Sequence, residues 1–328
     1  MTKIMEDSQQ MYDVTVLMGG PGSEREVSLM SGAAIAAGLE EIGHRVTRAD
    51  IIPHDTSALD RDGIDAVFIA LHGDFGESGE VQELCQARQL PYTGSGPYAS
   101  RLGMDKAAAK QVFLRAGLAT PNWMIIEKFH KAQDVAGWLG EITPPVVVKP
   151  VDGGSSVDVY ICRDTKARDE ALEELLDVYD RAMVEQFVPG REFTVSILGE
   201  KPLPLLEIIP AKPFYDYHAK YADDANTRYV FDHGLAPELA RQIQAQALAA
   251  HKALGCLDFS RVDFILDDQN QPQVLEINTI PGFTSHSLLP MAARQAGIEF
   301  PGLVDKILTL AMSRASQACN CERGDSLT

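Results

Sequence analysis

Two carboxylates, an amide and a guanidinium sit in two short runs near the C-terminal end, FSRVDFIL (259–266) and QVLEIN (273–278). Side chains alternate faces along a strand, so Arg261 and Asp263 share one face while Val262, Phe264 and Leu266 point the other way. In the second run Glu276 and Asn278 share a face, with Leu275 and Ile277 opposite. The linker DDQNQP (267–272) is rich in turn formers, so the runs are expected to pair as a hairpin. Pairing gathers Arg261, Asp263, Glu276 and Asn278 into one oxygen-rich patch. Hard oxygen ligands left incomplete by the protein suit a Mg²⁺ that also binds substrate phosphates, and the arginine would neutralise phosphoryl charge. A solvated polar face on a half-buried hairpin would carry the same residues.

Other segments point the same way, each with a plainer alternative. GGSS (153–156) follows a strand containing Lys149. Glycines let backbone N–H groups approach phosphate oxygens and the lysine adds a point charge, although a hairpin turn would read alike. Glu24 follows GGPGS (19–23) and opens a helix; it could hold a substrate ammonium or merely complement the helix dipole. His72, in HGDFGE (72–77), is a site candidate or a buried turn histidine. In FYDYHAKY (214–221) Lys220 is placed to meet a phosphate, while the aromatics could be simple anchors. PGFTSHS (281–287) opens a helix whose amides and hydroxyls could bind an oxyanion or carboxylate, or could cap that helix.

These groups need elements to hold them. The first hundred residues alternate strand and helix: a strand at 14–18, a helix through Leu29, Ala33, Ala36, Leu39 and Ile42, a continuous apolar run at 65–71, and a helix at 81–88. Such apolar runs are buried on both faces of parallel sheets, and ligands bind at the carboxyl ends of those strands, where residues 19–24 and 72–73 lie. From about residue 105 the rhythm changes. Helices at 106–116, near 135 and at 170–179 alternate with strands at 123–126, 146–149, 157–162, 183–187, 193–198 and 203–209. The stretch 211–233 has no strong period, as expected of a lid, and a helix at 237–254 leads to the hairpin. The fold class expected is α/β, turning α+β in the C-terminal half.

At 328 residues the chain suits two or three packed units. With 29 Lys and Arg against 47 Asp and Glu, the formal net charge of −18 opposes nonspecific binding to nucleic acid and to anionic membranes. No apolar run is long enough for a transmembrane helix, and residues 1–10 read as a polar leader without a signal peptide's apolar core. Cys85, Cys162 and Cys256 fall in apolar patterns and Cys319 and Cys321 in a polar tail. Five cysteines with no framework fit the reducing cytoplasm.

Taken in order, the strings GGPGSEREVSLMSG, ALHGDFGE, YTGSGPYASRLGMDK, VVVKPVDGGSSV, VEQFVPGREFTV, FYDYHAKY, RVDF and LEINTIPGFTSHSLLPMAARQAG resemble the D-alanine–D-alanine ligase family of the ATP-grasp superfamily, over residues 12 to about 312. The resemblance implies an N-terminal open parallel α/β substrate-binding domain (1–105, with 1–11 a frayed leader). A two-subdomain ATP-grasp fold would follow: a central part (106–188), a C-terminal part (189–315) with the lid at 211–233, and a polar tail (316–328). It implies ligation of two D-alanines through a D-alanyl phosphate, with ATP and two Mg²⁺ or Mn²⁺ as cofactors, in a cytoplasmic homodimer serving peptidoglycan synthesis. Lys106 and Lys149 would hold nucleotide phosphates beneath Ser155, Glu185 and Val188 would meet adenine, and Glu192 would hold ribose. Asp263, Glu276 and Asn278 would hold the metals, with Glu276 bridging. Glu24 would bind the first D-alanine's ammonium with His72 nearby, and Lys220 the γ-phosphate. Ser287 would receive the second D-alanine's carboxylate, while Arg261 and the Gly282 amide would stabilise the tetrahedral oxyanion. Glu24, Ser155 and Tyr221 would be joined by hydrogen bonds that latch the lid. A ligase for D-lactate or D-serine as second substrate, and a nucleotide-binding protein without catalysis, are the alternatives.

The chain departs from the family pattern at Ser78 (an Asp is usual), Glu83 and Asp158 (Gly), and His218 (Glu). None removes a metal ligand, a phosphate lysine or Tyr221. The departure at His218 bears on the nucleophile, because a cation there would discourage the ammonium form of a second D-alanine. With Tyr221 in place, dipeptide is the expected main product when equal D-alanine and D-lactate compete at neutral and alkaline pH. Predominant D-alanyl-D-lactate at neutral pH, abolished by His218→Glu, would overturn that expectation.

Overall fold

The apolar run at 65–71 lacks a polar face because both its faces are covered. The computed structural model describes residues 10–130, 132–154, 157–210 and 227–324. In it β1 (Asp13–Met18), α1 (Arg25–Ile42), β2 (Arg45–Asp50) and β3 (Ala66–Ile69) form a parallel sheet in the order β2-β1-β3. Val14, Val16 and Phe68 enter one core; Leu17, Val67 and Ile69 enter another on the opposite side. β2, with the sequence RVTRAD, is a mostly exposed edge strand and so carries no apolar run. Three helices, α2 (Asp74–Glu77), α3 (Glu80–Ala87) and α4 (Pro97–Met104), complete this part.

Next come α5 (Lys106–Arg115), β4 (Trp123–Glu127), α6 (Ala132–Leu139), β5 (Val146–Pro150), β6 (Tyr160–Cys162), α7 (Thr165–Val178) and β7 (Arg181–Gln186). Asp105 caps α5, accepting from Ala108 N at 2.8 Å. The strands form an antiparallel sheet, β4-β7-β5-β6. Period-two alternation divides its residues. Val146, Val148 and Val184 pack under Ala171, Leu172 and Leu175 of α7, which leaves Val147, Lys149 and Glu185 on a face that lines a cavity.

The cavity's other wall is a six-stranded sheet. It contains β8 (Gly190–Leu198), β9 (Lys201–Pro202), β10 (Leu206–Ile209), β11 (Arg228–Val230), β12 (Phe259–Asp267) and β13 (Pro272–Asn278), in the order β11-β10-β8-β12-β13 with β9 beside β8. The helix expected at 237–254 is α8 (Pro237–Leu254), which Gly255 ends in a left-handed conformation. Its Ile243, Ala247, Ala250 and Leu254 cover Val195, Val262 and Phe264.

Three expectations change. The strand expected at 157–162 is only Tyr160–Cys162, because Val157 and Asp158 form a turn. Within the stretch read as an aperiodic lid, Arg228–Val230 is the strand β11, paired with β10; residues 211–226 lie outside the described residues. After α9 (Leu288–Gln295), α10 (Phe300–Gly324) carries helix well into the segment read as a polar tail. Leu303, Val304, Ile307 and Leu308 of α10 pack with Ile35 and Leu39 of α1, so the chain's last helix shares a core with its first strand. No helix among the described residues is long and apolar enough to cross a membrane.

One ion pair ties these parts together. Arg314 of α10 donates to Asp258 Oδ1 at 2.8 Å and to the Tyr92 carbonyl at 2.7 Å, while Asp258 Oδ2 accepts from Gly94 N at 2.8 Å. Asp258 is 8% exposed, so removing its cation leaves a buried charge without compensation. Arg314→Leu is expected to lower stability by about 3 kcal/mol, read as a lower urea midpoint at an unchanged m-value. An unchanged midpoint would show that this staple contributes nothing.

Candidate active site

The expected hairpin forms. β12 and β13 pair antiparallel with Arg261 opposite Asn278 and Asp263 opposite Glu276. The register then shifts, with Phe264 opposite Val274, so Leu275 is an extra residue bulged from β13. This corrects the expectation that Leu275 opposes Glu276. Val274 and Ile277 enter the core, and Leu275 lines the same cavity as Glu276. Arg261 donates to Asp263 through Nε at 2.9 Å and Nη2 at 2.7 Å, and Thr194 Oγ1 donates to Asp263 Oδ1 at 2.6 Å. Asn278 Oδ1 accepts from Ile280 N at 2.9 Å. The set Asp263, Glu276 and Asn278 offers only oxygen donors and leaves most of a coordination shell to water and phosphate. That fits a hard divalent cation.

Between the two antiparallel sheets lies a cavity of about 370 Å³, lined by Lys106, Lys149, Val188, Glu192, Asp263 and Glu276 among others. The Lys106 ammonium donates to the Gly153 carbonyl at the start of the glycine loop. Lys149 Nζ lies 3.0 Å from Glu185 Oε1, and Lys110 Nζ lies 2.6 Å from Glu185 Oε2. Burial alone would raise the Glu185 pKa, but the two lysines outweigh it and hold the carboxyl below its ordinary range. The resemblance assigned Glu185 to adenine. Here its carboxylate is paired with the two lysines and its backbone lies in β7 between Trp123 of β4 and Val147 of β5, so the adenine role stays an expectation. Lys110 was not anticipated, although its place one helical turn after Lys106 puts it on the same side of α5.

A second cavity, of about 100 Å³, adjoins the first; Lys106, Gly153, Gly154 and Glu276 line both. It gathers Glu24, His72, Arg261, Asn278, Gly282 and Ser287 from four separate segments. Glu24 precedes α1 without capping it through its side chain. Its carboxylate instead approaches two glycines: a Cβ on Gly73 would lie 3.2 Å from Oε2, and one on Gly154 3.6 Å from either oxygen. Gly282 is equally constrained, since a Cβ there would meet Ser287 Oγ at 2.6 Å. Ser287 Oγ accepts from Thr284 N at 2.9 Å. His72 Nε2 lies 3.0 Å from Ser31 Oγ, which also accepts from Phe283 N at 3.2 Å. Burial lowers the His72 pKa to about 4, so the imidazole is neutral. Beside it stands Glu77, another residue the sequence reading did not single out. Burial, and then the Glu24 charge, push its pKa up to about 8.

Ser155, Lys220, Tyr221 and His218 lie outside the described residues, so their expected roles remain expectations. Asp158, the departure that seemed to set a charge beside the glycine loop, has φ +55 and accepts from the Tyr179 hydroxyl at 2.6 Å. An aspartate tolerates that left-handed conformation, and the tyrosine satisfies its carboxylate.

Comparison with known proteins agrees with this geometry. The family model described as the D-ala D-ala ligase C-terminus matches residues 112–309, and the one for the N-terminus matches residues 44–95. A D-alanine–D-alanine ligase of Nitrosomonas europaea is 43% identical over 305 residues, 93% of this chain and 99% of that protein. The crystal structure of D-alanine–D-alanine ligase from Bacillus anthracis superposes with a TM-score of 0.82 at 35% identity, covering 94% of this chain and 99% of that one. A structure of the same Bacillus anthracis enzyme complexed with ATP gives 0.82 at 33% identity, with the same coverage.

The protonation of Glu77 is measurable. An acid whose folded pKa lies above its ordinary 4.5 binds its proton more tightly in the folded state. Its contribution is therefore fully present below pH 4.5 and is lost as pH rises towards about 8. Glu24, Arg261, Glu276 and His72 are the charged or titratable groups around it. In metal-free protein, Glu77→Gln should lose less thermal stability between pH 5 and 8 than the parent. Equal losses would mean that Glu77 is already ionised at neutral pH.

Proposed function

This chain belongs to the D-alanine–D-alanine ligase family, and we infer that it joins two D-alanines into D-alanyl-D-alanine with conversion of ATP to ADP and phosphate, supplying peptidoglycan precursors. The observation that carries this reading is the meeting of the two cavities at Lys106, Gly153, Gly154 and Glu276. One is long, walled by two sheets and suited to a nucleotide. The other is small, with a carboxylate at Glu24 and a guanidinium at Arg261, and suits an amino acid's two charges. A γ-phosphate and a substrate carboxylate can meet only where such cavities join.

A carboxylate is a poor electrophile, so an oxygen of the first D-alanine attacks the γ-phosphorus and ADP departs, leaving a D-alanyl phosphate. The second D-alanine's amine then attacks the acyl carbon, loses a proton, and phosphate leaves. Both steps bring anions together, and the cations that line the cavities offset that charge. Lys106 and Lys149 hold nucleotide phosphates, with Glu192 at the ribose and the segment ending at Val188 at adenine. Glu24 fixes the first ammonium, and Ser287 receives the second carboxylate. Arg261, oriented by its two bonds to Asp263, faces the developing oxyanion together with the Gly282 amide. Asp263, Glu276 and Asn278 would hold two Mg²⁺ or Mn²⁺ ions, which would supply further charge neutralisation of the phosphates. Ser155, Lys220 and Tyr221 take the roles that the family pattern gives them, in a cytoplasmic homodimer.

Glu276→Gln keeps the shape of this side chain and removes its charge. D-alanine-dependent ADP release is expected to fall more than about a hundredfold, a barrier increase of about 2.7 kcal/mol, with an unchanged melting temperature. Turnover within tenfold of the parent would remove Glu276 from the metal set, and ADP release that ignores D-alanine would sink the ligase reading.

A further inference from the structure

Lys110 is 0% exposed and takes no part in the reaction described above. A buried ammonium needs polar partners. This one pairs with Glu185 Oε2 at 2.6 Å and donates to Thr120 Oγ1 at 2.5 Å and to the Pro121 carbonyl at 3.5 Å. Thr120 Oγ1 in turn donates to the Val274 carbonyl at 2.7 Å, and Val274 N donates to the Ala119 carbonyl at 2.8 Å. Val274 is the residue before the bulge that sets Leu275 and Glu276 in the cavity. A continuous chain of polar contacts thus runs from Lys149 through Glu185, Lys110 and Thr120 to the metal strand. It joins the two sheets that wall the nucleotide cavity.

The chain matters because Glu185 is one carboxylate shared by two lysines. Its Oε1 lies 3.0 Å from Lys149, and its more closely held oxygen belongs to Lys110. A buried carboxylate with a single cation would draw that cation hard against itself, since little solvent screens the pair. We propose that Lys110 is a positioning residue which, by sharing Glu185, leaves the Lys149 ammonium available to nucleotide phosphate. Burial, with the Lys149 charge beside it, lowers the Lys110 pKa to about 8 against the opposing pull of Glu185 and, more weakly, of Glu276.

This inference rests on the reading of Lys149 as a phosphate ligand, and the experiment separates the two. KM for ATP and KM for D-alanine are measured for the parent, Lys149→Met, Lys110→Met and the double variant Lys110→Met/Glu185→Gln, with thermal melts as the check on folding. Lys110→Met should raise KM for ATP about tenfold or more while KM for D-alanine stays within about twofold. The double variant, with no carboxylate left to capture Lys149, should lower KM for ATP at least about threefold from the Lys110→Met value, a coupling that a merely structural lysine would not give. If Lys110→Met does not fold, Lys110→Gln, neutral and still able to donate to Thr120, carries the same expectation. The proposal is overturned if KM for ATP does not change, if both KM values rise together, or if the double variant is no better than the single. Should Lys149→Met also leave KM for ATP unchanged, the reading of the nucleotide site falls with it.

Discussion

The site depends on one strand pairing. Asp263 and Glu276 are separated by the linker and two half-strands in sequence, yet the antiparallel register sets them directly opposite each other. Two like charges facing across a ladder repel, so the pairing stands only because cations are supplied locally. Arg261, two residues away on the same face, grips both oxygens of Asp263. The bulge at Leu275 then turns the strand at this point, so that an apolar side chain and a carboxylate enter the cavity in succession. Cavity shape and cavity charge therefore share one local irregularity.

The same logic explains how a chain with a formal net charge of −18 can hold a polyanion. Bulk charge sets the far field, but a cleft with low-dielectric walls answers to the groups that line it. Lys106 and Lys149 line the larger cavity, with Lys110 buried behind them. Each comes from the segment between residues 106 and 149 and faces the acidic hairpin. The smaller cavity shows the converse: Glu24 and Glu77 lie close together, and the fold accommodates them by keeping the more buried one protonated.

Much of this was legible in the residues because period-two and helical patterns report which face is buried. The hairpin, the strand at 146–149 and the span of α8 all follow from such patterns. What the patterns missed has physical reasons. β2 is an exposed edge strand whose RVTRAD sequence needs no apolar face. The bulge at Leu275 arises from pairing with a partner strand, which period-two counting along one strand cannot register. Lys110 and Glu77 go inside, against the usual rule that lysine and glutamate stay wet; Lys110 does so against Glu185, distant in sequence, and Glu77 by accepting from Gly73 N at 3.0 Å and by the upward shift of its pKa. Asp158, where the family pattern has Gly, finds its donor in Tyr179, a partner that no local pattern reports.

The packing of α10 against α1 also bears on how the protein is made. The sheet formed by β1, β2 and β3 is the first to emerge during synthesis, but Val14, Val16 and Phe68 share their core with Leu303, Val304, Ile307 and Leu308. Those partners come far later in the chain. One face of the N-terminal sheet, covered only in part by Ile35 and Leu39 of α1, therefore lacks the rest of its cover until α10 has emerged, a period in which a chaperone or another chain can reach it. Termination between β13 and α10 would release a polypeptide able to form its strands yet lacking that part of the cover. Synthesis through α10 thus governs how well the N-terminal sheet is kept from other chains.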